Sequence, residues 1–173
     1  MHAEVVEYIR KVREEFPAFF SNVRVLDCGS LDINGNNRWA FADTEYTGLD
    51  ILDGDNVDVV SDVATYAHMH QGEYDVVICT EMLEHDAQYE NSLTGFLQLL
   101  RPYGLLLITC AGTKRAEHGT HSCNPQDSPA TLDYYRNIDR TDILTHYGNG
   151  EFITFSIEEG RDGQDLYFSG IRR

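Results

Sequence analysis

Five short apolar runs, recurring along the chain with helix-like segments between them, restrict the possible folds more than any other feature. They are 23–27 (VRVLD), 46–50 (YTGLD), 57–60 (VDVV), 74–79 (YDVVIC) and 105–110 (LLLITC), with helices expected near 35–42, 64–70, 81–86 and 91–101. The runs are rich in β-branched residues and lack regular in/out alternation. That pattern suits strands covered on both faces, as in a parallel sheet between two helix layers. Within a leading segment, 1–20, residues 3–16 set Val5, Ile9, Val12 and Phe16 at helical spacing before Pro17, which predicts an amphipathic helix. The end of the chain breaks the rhythm. After a helix expected over 140–147, strands over 151–157 and 165–171 are separated only by the polar turn EEGRDGQ. No parallel crossover fits in so short a turn, so these two strands pair antiparallel. The expected fold is α/β: a doubly wound, mostly parallel seven-stranded sheet with a C-terminal antiparallel hairpin and helices on both faces. At 173 residues it forms one domain over 1–173.

Charge narrows the partners. Thirteen Lys and Arg stand against 29 Asp and Glu, a net charge of −16, and such an acidic protein repels nucleic-acid phosphates and anionic lipid. A small-molecule substrate is expected, with no nucleic acid and no membrane as partner. The first residues carry charges throughout, without an apolar run of signal-peptide length, and a cytoplasmic location is expected. Cys28, Cys79, Cys110 and Cys123 include no C-x-x-C pair and are expected to be reduced, packed as small apolar side chains.

In open α/β sheets, ligands bind across the carboxyl ends of the strands. Here the first strand ends in Asp27-Cys28-Gly29-Ser30, the second in Leu49-Asp50-Ile51, the third leads to Ser61-Asp62-Val63, and the fourth ends in Thr80-Glu81. Each acid alone reads equally as a helix cap or a solvated rim charge. Four on one rim point to a ligand rich in hydroxyls and amines, and cationic in part. The glycine lets a ligand approach the backbone where the first strand turns, although an ordinary turn has the same appearance.

The ordered set VRVLDCGS, YTGLDI, VDVVSDV, YDVVICTEMLEHD and LLRPYGLLLITC resembles the Rossmann-like class I methyltransferases that use S-adenosylmethionine, over nearly the whole of residues 22–171. The resemblance implies that cofactor and that reaction, with a small-molecule or saccharide-like acceptor. It gives Asp50 the ribose hydroxyls, Asp62 and the Val63 backbone the adenine amine, and Ile51 the adenine ring. Gly29 and Ser30 would lie along the methionine part, with Asp27 and Glu81 offsetting its positive charges. Leu31 and Ile33 stand where the family carries further glycines, so this loop follows its own path. Arg38, in the first turn of the helix expected after Asn34, would face the cofactor carboxylate; a salt bridge to a surface acid is the other reading. A cofactor-binding or partner-binding module without catalysis is a second functional reading. An NAD-dependent oxidoreductase is a third, but it calls for G-x-G-x-x-G in the first turn.

Methyl transfer needs alignment and dryness, plus a base where the acceptor carries a proton. His85 lies four residues after Glu81, so on a helix the carboxylate would orient the imidazole; a cap or core histidine is the alternative. The irregular stretch 111–132, rich in Gly, Thr, His, Ser and Pro, reads as a substrate lid carrying His118 and His121. The spacing H-x-x-H-x-C formed with Cys123 invites a metal reading, but no second ligand pair accompanies it, and no metal is expected.

Overall fold

The computed structural model describes residues 2–148 and 150–173; Met1, in the leading segment, and Asn149, before the penultimate strand, lie outside them. Among the described residues, seven strands form one sheet: β1 (Arg24–Cys28), β2 (Glu45–Asp50), β3 (Val59–Val60), β4 (Tyr74–Thr80), β5 (Leu100–Ala111), β6 (Phe152–Gly160) and β7 (Asp165–Arg172). Their order is β3-β2-β1-β4-β5-β7-β6. β1 to β5 pair in parallel, and β7 is antiparallel to both β5 and β6.

Successive strand residues face opposite sides, and the sequence divides accordingly. Val25, Val76, Ile78, Leu105 and Leu107 pack on one side against Val5, Tyr8, Ile9 and Val12 of α1 (Ala3–Glu15). Leu26, Cys28, Val77, Cys79, Leu106 and Ile108 pack on the other, under α2 (Val63–Ala67), α3 (Tyr89–Leu99) and α4 (Arg140–Tyr147). Each buried Leu, Ile or Val contributes roughly 1.5–3 kcal/mol of transfer free energy, while the buried polar residues Asp27, Asp75 and Thr109 sit near the ends of these strands. Cys28, Cys79 and Cys110 are buried free thiols. Burial pushes their pKa values well up, so they remain protonated and act as apolar side chains.

Two expected helices do not form. Over 35–42 there is only a 3-10 turn at Arg38–Ala40, because the Asp32-Ile33-Asn34-Gly35-Asn36 segment bonds to itself. Asp32 accepts from the Gly35 amide and from Asn36 Nδ2, both at 2.7 Å, and such local bonds compete with helix. α1 covers that face instead, with the Arg10 guanidinium 5.5 Å from the Trp39 ring centre. Over 81–86 the chain makes a 3-10 turn at Leu83–His85, entered through Glu81 at φ 56°. The helix expected over 64–70 is shorter, Val63–Ala67. β5 runs on to Ala111, so the irregular segment starts after it and continues to α4, where Asp139 and Asp142 form a capping box. No helix among the described residues is long and apolar enough to cross a membrane.

Candidate functional site

The carboxyl ends of β1, β2 and β4 open onto a cleft of about 620 Å³, room for a cofactor and a small partner molecule. Its floor is the turn after β1. The amides of Gly29 and Ser30 both donate to the Leu49 carbonyl, at 2.9 and 3.1 Å. Gly29 has φ 77°, and a Cβ there would stand 2.6 Å from Met82 Cβ, so only glycine fits.

Asp50 lines the cleft half-buried. Its Oδ2 accepts from the Leu31 amide and its Oδ1 from the Leu52 amide, both at 3.0 Å. The carboxylate thus holds the loop that lacks the family's later glycines, and each oxygen keeps acceptor capacity. Ile51 beside it is 48% exposed, an apolar side chain left in the open. Asp62 caps α2, with Oδ1 accepting from the Thr65 amide at 2.9 Å; that bond lowers its pKa. Both the cap reading and a place on the cleft wall hold for Asp62, and Val63 lies next to it.

Asp27 is buried at the foot of the cleft. Asn37 Nδ2 donates to its Oδ1 at 3.1 Å and the Tyr46 hydroxyl to its Oδ2 at 2.5 Å. Burial nonetheless pushes its pKa up to about 6. Asn37, wholly buried with its own Oδ1 unpartnered, also donates to Thr80 Oγ1 at 3.0 Å. It ties β1 to β4, and nothing in the sequence marked it.

Glu81, expected to offset the ligand's positive charge, lines the cleft with its own charge already paired. Its Oε2 lies 3.1 Å from Arg115 Nη2 and 3.0 Å from His2 Nε2, and Thr109 donates to its Oε1 at 3.0 Å. Burial opposes ionisation, yet His2 and Arg115 hold its pKa below the usual range. Arg115 also reaches the wholly buried Asp165 at 2.5 Å, so one guanidinium bridges an acid just past β4 and one on β7. Arg38 departs from its expected place. It lies outside the cleft lining, bonded to Asn56 at 2.5 Å and Asp58 at 2.7 Å, over the Tyr46 ring at 4.3 Å. The helix that would have aimed it at the cleft is absent.

The histidines separate. His85 and His118 line the cleft with ring centres 4.9 Å apart at right angles, and Tyr135 packs edge-on against both. His121 does not line it; it is exposed and pairs with Asp133 at 3.2 Å. Without a helix at 81–86, Glu81 does not orient His85. Burial, and then His118, lower the His85 pKa to about 4, so His85 does not titrate near neutrality. Glu84, between Glu81 and His85, is wholly buried, and burial followed by Glu81 pushes its carboxyl well above the usual range. Glu84 is the second acid of the run EMLEH, and no feature of the sequence distinguishes it from a surface acid. Of the stretch 111–132, Arg115, His118 and residues 127–132 line the cleft, and Asp133 and Tyr134 just beyond it do so too.

No protein-family model matches the sequence, and no curated protein is significantly similar to it. Solved structures do match. The Burkholderia thailandensis 1,6-didemethyltoxoflavin-N1-methyltransferase, bound to 1,6-didemethyltoxoflavin and S-adenosylhomocysteine, superposes over 98% of this chain and 78% of its own, with TM-score 0.67 and 14% identity. The fold is that of the class I S-adenosylmethionine-dependent methyltransferases. Phosphoethanolamine N-methyltransferase 2 of Haemonchus contortus matches 96% of the chain at TM-score 0.67 and 16% identity, and the chain spans only 52% of that enzyme. A SAM-dependent methyltransferase from Archaeoglobus fulgidus matches 97% of this chain and 94% of its own, at TM-score 0.63 and 16% identity. At such identities the likeness is one of fold, and function rests on the site.

Proposed function

We propose that this chain binds S-adenosylmethionine along the cleft and transfers its methyl group to a small-molecule acceptor, saccharide-like metabolites included. Asp50 carries the reading. It is a half-buried carboxylate at the end of β2, beside the exposed Ile51. A ribose brings two adjacent hydroxyls to such a group, and a purine ring covers the apolar surface. The second Asp62 oxygen suits the adenine amine. With Glu81 neutralised by Arg115, Asp27 is the acid at the cleft foot that answers the cofactor's positive charges. The S-adenosylhomocysteine bound in the Burkholderia and Haemonchus enzymes supports the same cofactor.

The reaction is an in-line displacement. The acceptor's lone pair attacks the methyl carbon, the carbon–sulfur bond breaks and its electron pair stays on sulfur, giving S-adenosylhomocysteine. An acceptor that carries a proton loses it toward His118, which lines the cleft, with the weakly basic His85 packed against it. Segment 127–134 forms the opposite wall and excludes water.

The test has two stages. Thermal unfolding with S-adenosylmethionine and with NAD should show stabilisation by the first alone; stabilisation by NAD instead would favour an oxidoreductase. A metabolite panel should then yield S-adenosylhomocysteine with at least one acceptor. Cofactor binding without turnover across the panel would favour a binding module.

A further inference from the structure

The described residues contain two clusters in which histidine and carboxylate atoms lie close enough to share a metal ion, and they differ in one respect. In the first, His2, Glu81 and Asp165, a cation is already present. The Arg115 guanidinium contacts both carboxylates, and Arg161 reaches Asp165 Oδ2 at 3.2 Å. The second, Glu84, His85 and His118, has no such partner among the ion pairs.

Each member of the second cluster keeps a lone pair unused. Glu84 Oε1 accepts from the Ala111 amide at 3.1 Å, while its Oε2 is buried without any partner. His85 is 6% exposed, and its Nδ1 is likewise buried and unpartnered. His118 Nδ1 lies 3.1 Å from the Ala116 carbonyl. A carbonyl can only accept, so that nitrogen carries the proton and Nε2 keeps its lone pair. This is the backbone anchoring by which metal-bound histidines are oriented. The ligand atoms of the three residues lie within 4.8 Å of one another; an ion with bonds of about 2.0–2.2 Å draws its ligands roughly 3.4 Å apart, a small rotation of the half-buried His118.

The backbone holds the cluster in register. The Arg136 amide donates to the Glu84 carbonyl at 2.8 Å, and Asn137 Nδ2 donates to the carbonyls of Gly112 and Arg115, at 2.5 and 3.0 Å. Together they pin the loop that delivers His118. Gly119, at φ 64°, lets that loop lie on the His85 ring: a Cβ there would be 2.6 Å from His85 Cε1.

We propose that Glu84, His85 and His118 bind one divalent first-row transition ion, of the Zn²⁺ or Mn²⁺ kind, at the edge of the cleft. Two imidazoles and a carboxylate suit such ions and leave coordination positions open. Since both histidines line the cleft, those positions face it, available to water or to an acceptor oxygen. An oxygen bound there would lose its proton far more readily than in water, which takes that duty from the imidazoles. The binding claim itself is independent of methyl transfer.

The test uses the full chain, stripped with EDTA and titrated calorimetrically with ZnCl₂ and, separately, MnCl₂, with S-adenosylmethionine binding measured on its own. One Zn²⁺ per chain is expected, with Mn²⁺ weaker. His118→Gln, on the half-buried loop, and Glu84→Gln should each weaken Zn²⁺ more than about 100-fold, beyond the cost of losing an outer-shell partner. His121→Gln should leave it unchanged. If Glu84→Gln does not fold, His118→Gln decides alone. No bound ion at one equivalent would overturn the site. So would Zn²⁺ held at wild-type affinity by His118→Gln, or lost in Glu81→Gln while His118→Gln retains it, which places the ion at the other cluster.

Discussion

Replacing Asp27 with asparagine should change how stability depends on pH. The carboxyl is wholly buried, and its two hydrogen-bond donors, Asn37 and the Tyr46 hydroxyl, are neutral. Burial raises its pKa from the ordinary 3.8 to about 6. A folded-state pKa above the unfolded value means that folding favours the protonated form. The contribution is fully present below pH 3.8 and is lost as pH rises through about 6. At about 1.4 kcal/mol per pH unit, the loss amounts to about 3 kcal/mol, about half of it between pH 5 and pH 8. Asp27→Asn keeps the shape and cannot ionise. Urea unfolding of both proteins at several pH values should show the wild type losing about 1.5 kcal/mol relative to the variant from pH 5 to pH 8. Saturating S-adenosylmethionine should flatten that difference, because a nearby cation favours the ionised acid. A difference that stays constant with pH, or that grows in favour of the wild type, would refute the reasoning.

Arg115→Ala leaves Glu81 with only His2 and the buried Asp165 with only Arg161 and His2 as basic partners, and equilibrium unfolding should show a loss of up to about 3–5 kcal/mol; Arg115→Lys should recover only part of it, since one ammonium cannot span both acids. Gly29→Ala forces a Cβ into Met82 at positive φ, so both thermal stability and cofactor affinity should fall. Arg38→Ala, outside the cleft, should leave cofactor affinity within about twofold in calorimetry while removing the link to Asp58, a half-exposed pair worth at most about 1 kcal/mol.

The fold was legible because it rests on periodicity. The strands of 23–27, 74–79 and 105–110 carry apolar residues on both parities, and the two cores divide them by parity. The closing hairpin followed from the length of its turn. Segment 35–42 misled because Trp39, Ala40 and Phe41 look like a helix face, whereas Asp32 and Asn36 had already committed the chain to turns. In the cleft, Gly29, Asp50 and Asp62 are legible as positions because they lie at or just past the ends of β1, β2 and β3. Glu81 and Arg38 were placed correctly in the chain but not in charge balance, since their partners, Arg115 and Asp58, lie 34 and 20 residues away. No local pattern announces such pairings. Glu84 was hidden for a related reason: burial, which sets its chemistry, depends on β5 and on the segment around Arg136, remote from EMLEH.

Calorimetric titration of wild type and Asp50→Asn with S-adenosylmethionine tests the central claim most directly. The variant keeps the shape of the side chain, but it can accept from only one of the Leu31 and Leu52 amides and loses the charge that strengthens bonds to ribose. The account predicts one cofactor per wild-type chain and affinity lower by more than about tenfold in the variant, since charge-assisted bonds are worth roughly 1.5–3 kcal/mol each, with circular dichroism unchanged. No binding by the wild type, or equal affinity in a folded variant, would contradict it.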